Sequence, residues 1–193
     1  MIKKEGENMR IFETNLFGVK LIEPSVHGDH RGFFVESYNE NRFKELGIDA
    51  SFVQDNHSLS VESGVIRGMH YQLKPKAQTK LVRCTSGAIW DVVLDIRKGS
   101  PTYGHWQGFI LSANNHRQIL VPKGFAHGFC TLVPGCEVQY KVDEYYSADN
   151  DRGIAWNDPA LGIEWPVSLP ILSKKDSTHP SFAEAEMNFD FTV

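Results

Sequence analysis

The sequence from Arg117 to Leu132, RQILVPKGFAHGFCTL, contains two short apolar runs separated by a turn. The runs Arg117–Val121 and Phe125–Leu132 are rich in aliphatic and aromatic residues, which favour strands. Between them, Pro122-Lys123-Gly124 supplies the residue types that turns require. The stretch therefore predicts two strands joined by a tight turn.

The same pattern recurs through the middle of the chain. Six further runs with strand composition are Phe52–Ser60, Ile66–Leu73, Thr79–Thr85, Ala88–Ile96, His105–Ser112 and Glu137–Val142. Turn residues separate these runs at the spacing typical of an antiparallel sandwich or barrel. The sequence therefore predicts an all-β jelly-roll barrel.

The N-terminal part of the chain predicts smaller elements. Their order is a polar tail at residues 1–9, a strand pair within Ile11–Glu23, a turn-rich loop Val26–Gly32 and a strand Phe33–Tyr38. Asn39 can cap the N-terminus of a helix, and Gly47 suits the position just after its C-terminus. We therefore expect one short surface helix between these two residues.

The strand pattern fades after Asp143, where Asp/Asn-rich loops and X-Pro breaks follow. We expect residues 143–193 to pack back over the barrel as a C-terminal extension. The chain shows no internal repeat, low-complexity tract or linker. The sequence therefore predicts a single domain spanning residues 1–193.

The composition excludes several classes of function. The chain has 193 residues and a net charge of −4, and no basic run could neutralise many phosphates, which argues against nucleic-acid or membrane-surface binding. No stretch approaches the ~18 apolar residues of a membrane span, and the first ten residues lack a signal-peptide core. The three cysteines are odd in number and form no C-x-x-C pair, so a reducing cytoplasm is expected.

Strand alternation places three polar residues on apolar faces. Lys80 shares a face with Val82, Tyr140 shares one with Val138, and His127 lies between two phenylalanines of its own face. Desolvating an ammonium is costly, so a lysine on a buried face indicates a partner or a reacting anion. A core tyrosine or histidine is more often satisfied by a hydrogen bond than used in catalysis. Together the three residues indicate one polar site inside the barrel.

The run Gly64–Gln72, GVIRGMHYQ, presents an arginine and a histidine between glycines. Arg67 and His70 can share one face of a strand only if the intervening Gly68-Met69 step bends or bulges, which Gly68 permits. One interpretation is a base beside a fixed positive charge. The other is an edge strand with two solvated polar side chains.

Two short motifs resemble the half-motifs of the cupin superfamily, whose members are jelly-roll barrels that often hold a metal. Pro122–His127 has the form P-x-G-x-x-H, and Gly64–His70 has the form G-x5-H. Where a metal-binding cupin has H-x-H, this chain has His70-Tyr71-Gln72. That ligand set is incomplete, so no metal is expected.

Longer runs resemble one cupin family, the dTDP-4-dehydrorhamnose 3,5-epimerases, over residues ~10 to ~180. These runs are Arg31–Glu36, Gln54–Asn56, Val65–Gln72, Lys80–Arg83, Val121–Phe129, Tyr140-Lys141 and Leu172–Asp176. The resemblance implies a cytoplasmic homodimer with exchanged strands that needs no metal or cofactor. It also implies a place in the synthesis of dTDP-L-rhamnose for surface polysaccharide.

The expected reaction inverts C3 and C5 of a 4-keto sugar. Both C–H bonds are acidic because they lie α to the carbonyl, so inversion needs a base, an acid on the opposite face and an enolate stabiliser. By resemblance, His70 matches the base and Asp176 the carboxylate that orients it. Tyr140 matches the acid, and Lys80 matches the residue that stabilises the enolate oxygen.

The resemblance also implies which residues hold the dTDP-sugar. The residues that match substrate contacts are Arg31, Glu36, Gln54, Asn56, Arg67, Lys80, His127, Asp151 and Lys175. Arginine suits a pyrophosphate because its planar fork bonds two oxygens at once. Asp151 stands where many relatives carry glutamate, which puts one nucleotide contact in question.

Three alternatives stay open. A 3-epimerase, or an epimerase of another nucleotide 4-keto sugar, would use the same residues. A metal-dependent cupin oxygenase would carry stoichiometric metal. A noncatalytic sugar-binding cupin would have no use for an enolate stabiliser, so the presence of both Lys80 and His70 argues against it.

Overall fold

The computed structural model describes residues 9–192. The predicted tail, residues 1–9, lies outside the described residues except for Met9. Its side chain is 6% exposed and packs in a cluster with Phe43 and Ile22. Met9 therefore belongs to the core, and the prediction that it is part of a tail is wrong.

Strands dominate the described residues. They are β1 Arg10–Glu13, β2 Lys20–Glu23, β3 Val26–Asp29, β4 Gly32–Val35, β5 Gln54–Ser60, β6 Ile66–Gln72, β7 Lys80–Ser86, β8 Ala88–Asp95, β9 Trp106–Ser112, β10 Gln118–Val121, β11 Phe125–Thr131, β12 Cys136–Val142 and β13 Asp151–Gly153. One helix, α1, spans Glu40–Glu45, and single 3₁₀ turns lie at Ala148–Asn150 and Asp176–Thr178.

The strands form two facing sheets and a separate hairpin. One sheet has the order β1-β2-β10-β7-β12-β5, the other β13-β6-β11-β8-β9, and β3 pairs with β4. Every paired strand is antiparallel to its neighbour. Apolar side chains from both sheets meet in one core, among them Val82 and Val138 from one sheet and Phe125 and Phe129 from the other. The all-β prediction is confirmed.

The outer faces of both sheets are also covered. Residues that follow β12, including Ile154 and Phe189, pack on the outer face of the five-stranded sheet against Leu94. Phe43 of α1 is fully buried and packs on the outer face of the six-stranded sheet against Leu81. Burying these faces removes large apolar side chains from water, which is the main favourable contribution to folding.

The eight central strands occur within two residues of their predicted ends. Three differences from the predictions lie elsewhere. The predicted loop Val26–Gly32 contains strand β3, and Asp151–Gly153 forms a strand that was not predicted. Both strands are four residues or shorter and polar, so cross-strand pairing rather than apolar alternation stabilises them. The strand predicted over Phe33–Tyr38 ends at Val35.

The predicted helix is confirmed with both of its end signals. The side chain of Asn39 accepts a hydrogen bond from the Arg42 backbone N–H at 3.3 Å. Gly47 follows the helix with a φ of +77°, the left-handed conformation common at that position. No helix within residues 9–192 is long and apolar enough to cross a membrane.

Candidate active site

The β6 strand contains the bulge that one of the two interpretations of Gly64–Gln72 required. In its pairing with β11, His70 lies opposite His127 and Arg67 lies opposite Phe129, so β6 has one more residue than its partner between these points. A Cβ on Gly68 would lie 2.4 Å from the Cα of Gly128, so the two backbones can approach only because glycine is present. The bulge changes the alternation of side chains between Arg67 and His70.

A histidine–carboxylate pair lies on the inner side of β6. The Nε2 atom of His70 is 2.5 Å from Oδ1 of Asp176, a residue 106 positions later that opens a 3₁₀ turn. Ser173 donates its hydroxyl to Oδ2 of Asp176 at 2.8 Å and accepts the Asp176 N–H at 3.0 Å. Asp176 is only 4% exposed, so this carboxylate is held in a fixed orientation.

Asp176 is ionised at neutral pH although it is buried. Burial acts to raise its pKa, but the hydrogen bond and charge of His70, together with the hydrogen bond from Ser173, outweigh that effect and lower the pKa below its ordinary value. The pair therefore supplies a fixed negative charge beside an imidazole. Such a carboxylate fixes the tautomer of the ring and stabilises the imidazolium that forms when the ring accepts a proton.

Lys80 lies beside the same histidine. It begins β7 in the opposite sheet, its side chain is buried, and its Nζ donates to the backbone carbonyl of His70 at 3.3 Å. Burial lowers the pKa of Lys80 to about 8, although the charges of Asp151 and Asp91 act to raise it. The lysine is thus mostly cationic at neutral pH, and it holds its charge in a poorly solvated position where it interacts strongly with an anion.

Tyr140 faces the site from β12, where it lies between Asn56 of β5 and Val82 of β7. Burial raises the pKa of Tyr140; the charge of Arg67 acts to lower it. The phenol therefore keeps its proton at neutral pH and can donate it. Because Tyr140 and His70 belong to facing sheets, they approach the interior from opposite sides.

A polar network joins four predicted substrate-binding residues on one rim. Gln54 donates to Asn56 at 2.9 Å and accepts the Tyr146 N–H at 3.2 Å. The Tyr146 hydroxyl donates to Asp151 at 3.0 Å, and Lys175 forms an ion pair with the same carboxylate. Tyr146 was not predicted, because nothing in a Tyr-Tyr loop sequence distinguishes a site residue.

A second histidine–carboxylate pair is more deeply buried. The Nε2 atom of His127 is 2.8 Å from Oδ2 of Asp91, which is fully buried. The other oxygen of Asp91 has no hydrogen-bond partner within the described residues. Asp91 was missed, although a carboxylate inside the apolar run Ala88–Asp95 was a usable signal, because a buried charge needs a partner.

Arg67 lies at the edge of the site. Its guanidinium donates to the Ser60 hydroxyl and to the Leu59 carbonyl of β5, both at 3.1 Å, and the residue is exposed. It therefore joins the two sheets, and its charge acts on the pKa of Tyr140.

The structure does not bring two predicted residues into the site of their own chain. Arg31 lies in the turn between β3 and β4 and bonds Asp29, while Glu36 bonds Asn39 and Arg42. In the contacts among residues 9–192, neither Arg31 nor Glu36 reaches another predicted site residue. The hairpin that carries Arg31 projects two aromatic side chains that are 62% and 69% exposed, Phe33 and Phe34.

One further residue of the site was not predicted. His179 packs edge-on against His70, with ring centroids 5.4 Å apart, and its Nε2 lies 3.6 Å from Oδ1 of Asp176. Its position three residues after Asp176 in a tight turn brings the two together, but no local sequence pattern indicates that this turn meets β6.

Two facing antiparallel sheets with this interior define a jelly-roll protein of the cupin class, and solved structures of that class match the chain closely. Within the class, the chain belongs to the dTDP-4-dehydrorhamnose 3,5-epimerase family, whose model matches residues 13–184. The predicted fold class and the predicted family are therefore both confirmed.

Individual relatives agree with this assignment. A dTDP-4-dehydrorhamnose 3,5-epimerase from Shigella flexneri is 51% identical over 179 residues, which cover 92% of this chain and 98% of the relative. The crystal structure of the Bacillus anthracis epimerase with TDP and PPi bound is 61% identical, with a TM-score of 0.89, over 90% of this chain and 99% of that one. A Legionella pneumophila 3,5-epimerase in complex with dTDP-4-keto-L-rhamnose is 43% identical, with a TM-score of 0.92, over 96% of this chain and all of that one. The chain is thus an enzyme, an epimerase of this family.

Proposed function

We propose that the protein converts dTDP-4-dehydro-6-deoxy-D-glucose to dTDP-4-dehydro-L-rhamnose by inverting C3 and C5 through an enolate. The observation that carries the proposal is the contact between His70 and Asp176 at 2.5 Å, beside a buried lysine that bonds the same histidine. The relatives support it, since the Legionella protein holds dTDP-4-keto-L-rhamnose.

In the first half of each inversion, His70 removes the proton next to the carbonyl. Its Nε2 is bonded to Asp176, so Nδ1 is the nitrogen that accepts the proton. The imidazolium that forms is stabilised by the ionised carboxylate 2.5 Å away. General base catalysis of this kind contributes roughly 10²–10⁴-fold to the rate.

Lys80 then stabilises the negative charge that develops on the C4 oxygen. Its ammonium is fixed by β7 and by the His70 carbonyl before the substrate arrives, so it needs little reorganisation. Tyr140 returns a proton to the other face of the carbanion. Its place in the sheet that faces His70 supports this role, because inversion requires acid and base on opposite sides.

We propose that six residues hold the dTDP group. They are Gln54, Asn56, Asp151 and Lys175 of the polar network described above, together with the exposed Arg67 and the buried His127. Arg31 and Glu36 of a second copy would complete this grip in a homodimer with exchanged strands. The exposed hairpin supports this arrangement, since Phe33 and Phe34 are 62% and 69% exposed and would be buried between copies. We also propose that the enzyme acts in the cytoplasm. The three buried cysteines, which are all free thiols, are consistent with that proposal.

The test is to incubate the protein with dTDP-4-dehydro-6-deoxy-D-glucose in D₂O and locate the deuterium by NMR. Label at both C3 and C5 is expected. Label at C3 alone would make the protein a 3-epimerase, and absence of label would contradict the proposal. His57→Gln is a matched control because His57 is an exposed histidine paired with Glu137 on the outer surface, so it should label as the unaltered protein does.

A further inference from the structure

The histidine–carboxylate pair has a third member that the proposed reaction does not use. His70, Asp176 and His179 each present one donor atom, and the three atoms lie within 4.8 Å of one another. The side chain of His179 is 9% exposed, and its Nε2 has no hydrogen-bond partner among residues 9–192. A buried imidazole nitrogen left without a partner is unusual and calls for an explanation.

The backbone of β13 is shaped to hold the His179 ring. A Cβ on Gly153 would lie 2.4 Å from that ring, so glycine leaves the space the ring occupies. Gly153 itself pairs with His70 in the sheet. The second imidazole is therefore fixed next to the first, with its free nitrogen directed at the shared carboxylate.

We propose that His70, Asp176 and His179 bind a Zn²⁺ ion reversibly and that the bound ion inhibits the enzyme. Two imidazoles and one carboxylate, with a fourth position open, form a ligand set that zinc accepts. Zinc bonds of about 2.1 Å in a tetrahedron put ligand atoms about 3.4 Å apart. The separation of 3.6 Å between His179 and Asp176 already fits, and the shorter contact between His70 and Asp176 must open. The two histidine nitrogens lie within 4.8 Å of each other.

The surroundings favour such a site. Ser173 holds Oδ2 of Asp176 by a hydrogen bond, which leaves Oδ1 directed at both histidines. His70 is 33% exposed in its side chain, so an ion can enter and a water can take the fourth position. This set is different from the metal position of other cupins, because two of its three ligands come from the segment after the last barrel strand.

Inhibition follows from the tautomer of His70, and this step rests on the proposed function. In the free enzyme the ring proton lies on Nε2, toward Asp176, and Nδ1 is free to accept a proton from the substrate. A zinc ion on Nε2 replaces that proton, so the neutral ring must carry its proton on Nδ1. The Nε2–H bond is broken and an Nδ1–H bond is formed, so the ring stays neutral and nothing is oxidised. The base then has no lone pair for the substrate.

Binding is tested with Co²⁺, whose visible absorption reports tetrahedral coordination by nitrogen and oxygen ligands. The chelator-treated full-length protein should bind one equivalent of Co²⁺, and Zn²⁺ should displace it. His179→Gln should weaken Co²⁺ binding by about 100-fold, since one of three protein ligands is lost. His57→Gln, at an exposed histidine, should bind as the unaltered protein does, and circular dichroism checks that both variants fold.

Inhibition is tested separately, by deuterium exchange into the substrate with added Zn²⁺. Exchange should be lost on adding Zn²⁺ and recovered with EDTA. The Zn²⁺ concentration that halves the exchange rate should be at least tenfold higher for His179→Gln than for the unaltered protein, with each rate taken relative to that protein's own uninhibited rate. Equal Co²⁺ affinity in His179→Gln and the unaltered protein would overturn the site. Co²⁺ binding without inhibition by Zn²⁺ would keep the metal site but overturn both the proposed inhibition and the base role of His70 in the proposed function.

Discussion

Two regions carry residues predicted for the same site: the inner wall of the barrel, which carries His70 and Lys80, and the β3–β4 hairpin, which carries Arg31. The two regions differ in the contacts that these residues make. On the wall, His70 bonds a buried carboxylate and Lys80 bonds the backbone of His70. On the hairpin, Arg31 is exposed and bonds Asp29, two residues away. The groups proposed for proton transfer are thus assembled within one chain, whereas the hairpin residues do not reach them.

The difference in burial has electrostatic consequences. Charges on the wall are shielded from water, so they shift each other's pKa values and act strongly on a bound anion. The exposed pair of Arg31 and Asp29 contributes little to stability, because water and salt screen it. In the proposed mechanism, proton transfer on the wall therefore needs no partner chain, whereas the hairpin contributes only to the site of a second copy. Four experiments test this contrast.

The largest expected effect comes from removing the proposed base, His70. His70→Asn should lower kcat by about 10³–10⁴-fold, because general base catalysis is lost, and should leave KM nearly unchanged. Steady-state kinetics with the 4-keto sugar nucleotide measures both constants. A kcat within tenfold of the unaltered enzyme would show that the wall does not supply the base.

Lys80→Met should lower kcat by about 10²–10³-fold, because a donor to the developing oxyanion is removed. The unaltered enzyme should also lose activity as pH rises through about 8, since Lys80 is cationic only below its pKa of about 8. A profile of kcat against pH from 6 to 10 shows this decrease. The residual activity of Lys80→Met should not show this decrease. A decrease common to both proteins would mean that a group other than Lys80 titrates.

Much of the wall could be predicted from sequence, because strands have a period of two. Alternation placed Lys80, Tyr140 and His127 on one interior, and the structure confirms that all three face or border the core that both sheets share. Their catalytic and binding roles remain predictions. The bulge at Gly68 could also be predicted, since only glycine permits two backbones to approach so closely.

The remainder depended on contacts between distant parts of the chain. Asp91 and His179 have no local pattern that reveals their partners, and His179 meets β6 only because a C-terminal turn packs there. Strands β3 and β13 are too short for alternation to show. Short polar strands form where pairing offers hydrogen bonds, which a reading of local sequence does not detect.

Arg31→Ala should have a smaller effect and act on binding. Losing a bidentate contact to a phosphate should raise KM by about 10–100-fold with little change in kcat. The contrast is sharpened by co-expressing Arg31→Ala with His70→Asn. If Arg31 completes the site of a second copy, each mixed dimer has one intact site out of two. Half of the dimers are mixed, so about a quarter of all sites are intact. If the co-expressed variants are no more active at low substrate concentration than the two variants expressed separately, Arg31 belongs to the site of its own chain.

The smallest expected effect is on stability and concerns the cost of burying Lys80. Its pKa is about 8 in the folded protein against an ordinary value of 10.5, so between these values the unfolded chain binds a proton that the folded chain does not. The free energy of unfolding therefore rises with pH in this window, by up to about 1.4 kcal/mol per pH unit. Burial raises the pKa of Cys84 and Cys130 to about 11, which acts in the opposite direction above about pH 9.

The measurement compares the unaltered protein with Lys80→Met by urea unfolding at pH 7.5, 8.25 and 9. Subtracting the unfolding free energy of Lys80→Met cancels the contribution of the cysteines. A difference that rises with pH would show that the wall holds a desolvated charge. A difference that stays constant with pH would mean that Lys80 is as well solvated as Arg31 of the hairpin.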